Sequence, residues 1–269
     1  MDEITPEEAD AYAAQIPHWL AGATYNGRIS ELRTAWNVLC PGAANPWIGM
    51  RRKPRDAKPR MVLSAEQVRA VVATARGRCR GELSPLILLG AYTGLRLGDA
   101  VRLRWGNIDL ANGVIAVTTR KTGSRVAIPI LPDLGSKLAA MADKRRSPYV
   151  FPVIYRRVER YNGRVANISQ CVNKAMRDCG IATSYQHPHT KRRRPLCGYH
   201  SLRHTFVTRA IEAGVPVEIV AAIVGHASVE MTHHYTHVGV DALKQAFARA
   251  GLMDRTPRNP IATGSTNLI

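Results

Sequence analysis

A segment rich in proline and positive charge divides this 269-residue chain near residue 50. Residues 51–60 contain two prolines and six cations: Arg51, Arg52, Lys53, Arg55, Lys58 and Arg60. Proline removes a backbone donor and blocks a regular helix, and cations that repel one another favour an extended chain. No long helix or strand is therefore expected to run through this segment. We predict a linker at residues 51–61 that separates a short unit, residues 1–50, from a longer one.

Charge is distributed unevenly on the two sides of this linker. The formal net charge is +18, yet residues 1–50 hold two basic residues against six acidic ones, which leaves about +22 for the remainder. Such an excess of cations attracts polyanions and adds a salt-sensitive contribution to nucleic-acid binding. We therefore expect the surface that meets a polyanion to lie beyond residue 50. A basic protein without such a partner, and a linker that is only a solvated tether, are the alternatives.

Cysteine content and the length of the apolar stretches indicate the cellular compartment. The five cysteines are widely spaced and odd in number, and the first residues, Met1-Asp2-Glu3, do not resemble a secretion signal. The most apolar stretch, residues 83–92, falls short of the roughly 20 residues needed to cross a bilayer. We expect a reducing cytoplasm and no role in a membrane.

The remaining pattern predicts a mainly α-helical protein with a small antiparallel β-sheet. Residues 6–40 favour helices, and Ser64-Ala65-Glu66-Gln67 is a capping box that predicts a helix start. Ser84-Pro85 indicates a second start. Residues 114–118 and 125–130 are rich in β-branched side chains around Thr122-Gly123-Ser124, which predicts a hairpin. Later helices are predicted at residues 134–142, 166–179, 201–213, 217–224, 229–235 and 240–250, before a tail at 251–269.

One short motif suggests chemistry on a phosphate. In His200-Ser201-Leu202-Arg203, the first and last residues are three positions apart, so both side chains can leave the same helix face toward one target. Arginine offers a planar set of donors that matches phosphate oxygens. Taken alone this spacing is weak evidence, because two such side chains on an exposed helix face are more often only solvated.

Three further sequence motifs strengthen this evidence: Thr93-Gly94-Leu95-Arg96 with Asp99, Lys121 in the hairpin, and Gly225-His226 followed nine positions later by Tyr235. Together these motifs resemble the catalytic domain of tyrosine recombinases, the phage-integrase type. The family's order is arginine, hairpin lysine, His-x-x-Arg, histidine and tyrosine. This chain fills every position, in the order Arg96, Lys121, His200, Arg203, His226 and Tyr235.

The resemblance covers about residues 62–250 and implies a catalytic domain there. Residues 1–50 resemble only the second half of the helical core-binding domain that precedes it in the family. That half is net acidic, which argues against a strong grip on DNA. We therefore expect a partial core-binding domain at residues 1–50, a linker at 51–61, a catalytic domain at 62–250 and a tail at 251–269.

The resemblance also implies a role for each residue. Tyr235 attacks a DNA phosphate and becomes joined to the strand, while Arg96, Arg203 and His226 stabilise the negative charge that develops on the phosphate. Tyrosine has a reference pKa of about 10, and nearby positive charge favours its phenolate in the transition state.

The proton transfers and the supporting contacts fall to three further residues. His200 is the expected general base, and Lys121, at the hairpin tip, the expected acid for the leaving 5′ oxygen. Lys121 is the least secure assignment, because Arg120 and Arg125 share its hairpin. Asp99 is expected to orient an arginine or a neighbouring group rather than to react.

The expected activity is strand exchange between two duplexes through a 3′-phosphotyrosyl bond, which needs no nucleotide cofactor. Expected partners are double-stranded DNA, three further copies in a synaptic homotetramer, and possible accessory DNA-bending proteins; residues after Val240 would be exchanged between neighbours. The free protein is expected to be a monomer, in a bacterial cytoplasm at the nucleoid or encoded by a phage. A type IB-like topoisomerase and a non-cutting DNA-binding regulator of the same fold are the alternatives. The recognition sequence, and with it the biological setting, stays open.

Two other groups of residues are candidate sites. The basic loop Lys191-Arg192-Arg193-Arg194 is expected to face DNA, as are the linker cations and Arg120 and Arg125. Two sets of potential metal ligands have no established zinc spacing. The first set is His233, His234 and His237, and the second is Cys179, His187, His189 and Cys197. We expect no metal.

Overall fold

The structure is a computed structural model that describes residues 4–17, 22–54, 61–186, 193–225 and 245. The chain divides into two compact units. The first comprises residues 1–59 and 184–194, and the second comprises residues 60–183 and 195–269. Each unit has its own cluster of buried apolar side chains.

The described residues form helices and short strands in the following order. The first helices are α1 (Pro6–Gln15), α2 (Gly22–Leu39), α3 (Ala65–Thr74), α4 (Leu83–Thr93) and α5 (Leu97–Ala100). Three strands follow, β1 (Ile108–Asp109), β2 (Val114–Thr118) and β3 (Arg125–Pro129), which form one antiparallel sheet in that order. Next come α6 (Pro132–Ala142), α7 (Pro152–Arg160) and α8 (Ala166–Asp178). A two-stranded sheet of β4 (Ser184–Gln186) and β5 (Arg193–Pro195) precedes α9 (Tyr199–Glu212) and α10 (Val217–Ile223).

The first unit is held by a small apolar cluster. Helix α1 begins at a capping box in which the Thr5 hydroxyl accepts from the Glu8 N–H at 3.2 Å and the Glu8 carboxylate accepts from the Thr5 N–H at 2.8 Å. Helix α2 supplies Tyr25 and Ile29 to the cluster, and Trp47 packs against them. A cluster of this size can hold only a marginally stable unit by itself.

The start of the cationic segment is part of this first unit. The Lys53 N–H donates to the Asn26 side-chain oxygen at 2.9 Å, and the Asn26 side-chain amide donates to the Lys53 carbonyl at 2.8 Å. The Lys53 ammonium lies 4.4 Å from the centre of the Tyr25 ring, a cation–π contact. Residues up to Lys53 therefore pack on α2 rather than extending from it.

Helix α4 forms the centre of the second unit. Ten of its eleven residues are buried, and it packs against α3 and α9. A β-carbon on Gly90 would lie only 2.7 Å from the Tyr199 ring carbon Cζ, so α9 approaches α4 too closely for any larger residue. This close contact fixes the position of α9, which carries His200 and Arg203, against α4, which ends just before Arg96.

Local motifs predicted the helix starts with mixed success. The capping box at Ser64 is confirmed, because Ser64 caps α3 and exchanges both hydrogen bonds with Gln67. The predicted cap at Ser84 is wrong: α4 begins at Leu83, and the Ser84 hydroxyl donates to the Val72 carbonyl at 2.9 Å. A tertiary contact with the preceding helix therefore replaces the capping bond.

The predicted hairpin is confirmed as β2 and β3, which pair in antiparallel register with Val117 opposite Val126. Helices α5 and α7 and the strands β1, β4 and β5 were not predicted. Apart from these additions the fold class is as expected, mainly helical with small antiparallel sheets. In the described part of the chain, no helix combines the length and the apolar character that a membrane span requires.

Candidate active site

A tight turn places Arg96 at the carboxyl end of α4. Gly94 ends the helix with φ of 63°, and its N–H donates to the Gly90 carbonyl at 3.0 Å. A β-carbon there would lie 2.7 Å from the Phe206 ring, so this position requires glycine both for its dihedral angle and for its close packing. Arg96 follows as the residue before α5. Its Nη1 atom is buried and has no hydrogen-bond partner among the described residues, which leaves a donor available for an anion.

Arg203 is held rigidly by backbone carbonyls. It is 4% exposed, and its two terminal nitrogens donate to the carbonyl of Gly94 at 2.7 Å and to the carbonyl of Val224. Neither Arg203 nor Arg96 forms a salt bridge with a described residue. Burial, and then the charge of Arg96, lower the pKa of Arg203 to about 10, against a smaller opposite effect of Asp99. Arg203 therefore remains a cation at neutral pH, close to a second one.

His200 lies one turn before Arg203 on α9. Its exposed ring stands perpendicular to the ring of His204, with 4.8 Å between the ring centres. His200, Arg203 and His204 line a pocket of about 270 Å³ whose other walls are apolar residues of α9 and α10 and Val224. The two residues of the His-x-x-Arg motif thus face one cavity.

Asp99 connects the Arg96 segment to the β2–β3 turn. It is 8% exposed, and its carboxylate accepts from the Arg120 backbone N–H at 3.0 Å. Its charge also acts on Arg203, whose pKa it raises. The group that Asp99 contacts directly is therefore the N–H of Arg120, the residue before Lys121. Sequence reasoning named Asp99 but could not identify this acceptor role.

The turn itself is closed by its own polar groups. The Thr119 N–H donates to the Ser124 carbonyl at 2.9 Å, and the Thr119 and Thr122 hydroxyls are 2.7 Å apart. Lys121 is exposed at the tip, as are Arg120 and Arg125. The buried Thr119 fixes the base of the turn, while the tip is exposed.

Two predicted catalytic residues, His226 and Tyr235, lie outside the described residues. The described chain reaches Gly225, where a β-carbon would lie 3.4 Å from the Thr119 side chain and 3.7 Å from the Thr122 hydroxyl. Gly225 therefore lies against the hairpin turn that carries Lys121. The exchange segment after Val240 lies outside the described residues as well, apart from Gln245.

The predicted DNA-binding cations have different surroundings. Arg51 and Arg52 are exposed, whereas Lys53 is half-buried against Tyr25. Arg193, on β5, donates from Nε to the Ser184 hydroxyl at 3.0 Å, and Arg194 is half-buried with a partner of its own. The others, Arg55, Lys58, Arg60, Lys191 and Arg192, lie outside the described residues.

Neither potential metal site can be assembled from the described residues, since its histidines lie outside them. Cys179 is 3.1 Å from the Thr74 hydroxyl, and the Cys197 sulfur is 3.7 Å from that of Met176. Within the described ranges, no three histidine, cysteine or carboxylate side chains converge as metal ligands.

Sequence reasoning missed a set of arginines on α7 and the turn after it. The half-buried Arg102 donates to the Gly98 carbonyl, in α5, and to the Gly163 carbonyl, both at 3.1 Å, so the α7–α8 turn is tied to the segment that carries Asp99. Four exposed arginines belong to this region: Arg156, Arg157, Arg160 and Arg164. Three of them recur every four positions, a signal that was present in the sequence.

Comparison with known proteins gives a consistent result. The sequence model of the phage integrase family matches residues 61–241. The chain is 28% identical over 207 residues to the tyrosine recombinase XerA of Pyrococcus furiosus, covering 76% of this chain and 66% of that protein. The chain thus spans just under two thirds of that relative's length.

Two solved structures share the fold. The integrase of mycobacterium phage Brujita has a TM-score of 0.58 and 23% identity, covering 95% of this chain and 81% of that one. A lambda integrase tetramer bound to a Holliday junction has a TM-score of 0.59 and 20% identity, covering 85% of this chain and 66% of that one. At these identities the likeness establishes the architecture and not the substrate.

Proposed function

Because the chain belongs to the phage integrase family, we propose that it is a site-specific DNA recombinase that breaks and rejoins strands through a 3′-phosphotyrosyl bond. One observation carries this proposal. The half-buried Arg96 acts electrostatically on the buried Arg203, and no described carboxylate forms a salt bridge with either. Arg96 keeps a buried donor without a described partner, and Arg203 lines a pocket with His200. A phosphate supplies the negative charge that this arrangement lacks.

The proposed reaction assigns each residue one step. The Tyr235 oxygen forms a bond to the scissile phosphorus and gives its proton to His200, while the bond from phosphorus to the 5′ oxygen breaks. That oxygen takes a proton from Lys121. A 5′ hydroxyl of the partner strand then attacks the phosphotyrosyl bond, releases Tyr235 and restores a phosphodiester. Bond energy is conserved at each step, so the reaction requires no nucleotide.

The two arginines divide the work of charge stabilisation. Arg203 already donates to the carbonyls of Gly94 and Val224, which fixes the plane of its guanidinium before DNA arrives. Arg96 keeps a buried donor without a partner among the described residues. Donors that are fixed in advance need little reorganisation as charge develops on the phosphate oxygens, which is the most effective form of electrostatic catalysis. We assign His226 to the same oxygens.

The hairpin contact supports the acid role of Lys121. Asp99 holds the Arg120 N–H, and Gly225 lies against Thr119 and Thr122 in the same turn. Asp99, which lies three residues after Arg96, and Gly225, which precedes His226, therefore both contact the turn that carries Lys121. We propose that Asp99 positions this turn and takes no proton itself.

Duplex DNA is the proposed partner, and synapsis is proposed to use four copies. The lambda integrase that shares this fold is a tetramer on a Holliday junction. Exposed cations on the linker, the β2–β3 turn and α7 suit the phosphates that flank a cleavage site. Segments after Val240 are proposed to pass between neighbouring copies, and accessory DNA-bending proteins are proposed to assist. The proposed location is the bacterial cytoplasm, with the DNA.

Covalent trapping tests the proposal directly. The protein is incubated with nicked duplexes, in which the freed 5′ fragment diffuses away, and protein–DNA adducts are separated in detergent. We expect an adduct with the wild-type chain and none with Tyr235→Phe, which retains the ring but not the nucleophile. Absence of an adduct across a broad pool of duplex sequences, or its persistence in Tyr235→Phe, would contradict the proposal.

A further inference from the structure

A second cationic site lies at the opposite end of α4 from the active site. Its pocket has a volume of about 590 Å³ and is lined by residues of the turn before α4, the end of α6 and the segment that leads to α7. None of Arg96, Asp99, His200 and Arg203 lines it. Its cations are Arg80, Lys137, Lys144, Arg145 and Arg146.

The charge of this pocket is not offset by the described protein. Glu82 is the one carboxylate among its described lining residues, and its two oxygens accept from the N–H groups of Val153 and Ile154 at 2.9 and 2.8 Å, at the start of α7. No described carboxylate forms a salt bridge with any of the five cations. Like charges that line one pocket repel one another even in water. A polyanion in the pocket would remove this repulsion for all five at once.

One wall of the pocket is aromatic and firmly built. Trp105 and Tyr149 line it. The Tyr149 ring stacks on Tyr155 with 3.6 Å between ring centres, and Arg104 donates to the Tyr149 hydroxyl at 3.0 Å. Flat rings beside cations are the combination that nucleic-acid surfaces use, because rings contact sugars and bases while cations meet phosphates.

The turn before α4 is strained in a way that positions a pocket cation. Cys79 and Arg80 have φ of 50° and 54°, although neither is glycine. The left-handed conformation is unfavourable for residues with a β-carbon, and strain of this kind concentrates at functional sites. The strained turn places Arg80 on the pocket wall.

We propose that this pocket binds the phosphate backbone of DNA, as a second anchoring site away from the reaction centre. This inference rests on the proposed function for the presence of DNA. The aromatic wall favours a sugar–phosphate chain over an acidic protein segment, since carboxylates alone would leave the rings without a role.

The separation of the two sites sets the minimum length of duplex that could contact both. Helix α4 has 11 residues and is about 16 Å long at 1.5 Å per residue. A duplex rises about 3.4 Å per base pair, so about five base pairs span that length. A duplex arm shorter than this, measured from the cleaved phosphate, therefore cannot reach both sites.

Salt-dependent binding tests the pocket. The double variant Arg145→Ala/Arg146→Ala removes two exposed pocket cations, and Arg69→Ala/Arg76→Ala removes two exposed cations of the second unit that do not line the pocket. Affinity for fluorescent duplexes is measured across a salt series. We expect the pocket variant to bind 10- to 100-fold more weakly at low salt and its log–log salt slope to fall by about two, one for each phosphate that the variant no longer neutralises. The control should keep the wild-type slope, and thermal unfolding checks that both variants are folded.

The outcomes separate this inference from the proposed function. An unchanged slope in the pocket variant overturns the inference, even where the Tyr235 adduct forms normally. A reduced slope supports the pocket even where no adduct forms, in which case the cleavage proposal fails instead. Trimming both duplex arms below about five base pairs should abolish the difference between pocket variant and wild type. If sedimentation shows that the pocket variant loses only self-association, the site binds protein and the inference is overturned.

Discussion

Two arginines of the candidate active site, Arg96 and Arg203, form no salt bridge with any described carboxylate. Arg203 is buried and donates to two neutral carbonyls, and Arg96 keeps a buried donor unused by any described group. The lowered pKa of Arg203 expresses first the cost of burying a cation and then the cost of holding it near Arg96. Because that pKa of about 10 lies well above neutrality, Arg203 stays protonated at neutral pH and the unfavourable energy remains. In the proposed reaction, a phosphate that gains charge in the transition state would relieve this cost.

The acid role of Lys121 can be separated from simple charge loss. Lys121→Ala is expected to slow cleavage of a normal phosphodiester by about 10²- to 10⁴-fold, the usual contribution of a general acid. Replacing the leaving 5′ oxygen by sulfur, which needs no proton, should restore most of the rate. Rates are measured in single turnover with nicked duplexes. Arg120→Ala, on the same turn, is the matched control and should show a smaller loss without rescue. A Lys121→Ala defect that sulfur does not repair would remove Lys121 from this role.

Asp99 is predicted to act through the hairpin. Asp99→Ala removes the acceptor of the Arg120 N–H, and we expect cleavage to slow by about 10- to 100-fold, as is usual for groups that orient a reacting residue. Because the loss arises from a displaced Lys121, the sulfur-containing substrate should recover much of it. Asp99→Asn keeps an oxygen acceptor and should be milder. Equal defects in the two variants, with no rescue in either, would show that the negative charge matters and the hairpin contact does not.

Among the elements, the close contact of α4 with α9 builds the site. Gly90 and Gly94 allow α9 to approach, and Gly94 also supplies a carbonyl to Arg203. The hairpin was predictable because β-branched residues flank a polar turn, and α3 because its capping box is local. Helix α7 was missed because only Ile154 and Val158 are buried on an otherwise charged segment. The early start of α4 was missed because Ser84 bonds to a distant carbonyl, which no local pattern encodes.

Gly94 is predicted to matter for stability and activity together. Gly94→Ala forces a side chain into a left-handed position, at roughly 1–2 kcal/mol, and brings its β-carbon to 2.7 Å from Phe206. We expect a loss of about 2–4 kcal/mol in the free energy of unfolding, measured with urea, and slower cleavage because the Arg203 acceptor moves. Gly98→Ala is the control, since nothing lies within 4 Å of its β-carbon position and its φ is not positive. That variant should be neutral or up to about 1 kcal/mol more stable. Equal stability of the two variants would contradict this account.

The whole molecule contains two compact units with separate apolar clusters. The first unit has a small cluster built on α1 and α2, and the second a much larger one centred on α4. Residues 1–50 are net acidic in a chain that is otherwise strongly basic. The proline-rich segment was predicted to separate a unit of residues 1–50 from a catalytic domain of residues 62–250, and the first compact unit of the structure also includes residues 184–194. The sequence did not reveal that Lys53 packs on α2, because that contact depends on the position of Asn26 in a folded helix.

Separate clusters predict separate unfolding. Calorimetry should show two transitions, with the smaller unit melting first because it buries less apolar surface. Ile29→Ala should shift only the lower transition and Leu86→Ala only the upper one, each through a loss of about 2–5 kcal/mol from a buried aliphatic side chain. Both residues are at most 4% exposed. If either variant shifted both transitions equally, the two units would unfold as one.

The sequence by itself determined which residue types are present and in what order, because those features reside in short motifs: the Thr-Gly-Leu-Arg phrase, the hairpin lysine, His-x-x-Arg and the final tyrosine. The start of α3 and the hairpin also followed from local dihedral preferences and hydrogen bonds. Only the tertiary structure decided what these groups contact. Gly94 and Arg203 are 109 positions apart, and Asp99 and Arg120 are 21 apart. Such contacts depend on how closely α9 packs on α4 and on where a turn ends in space, which no pattern of neighbouring residues specifies.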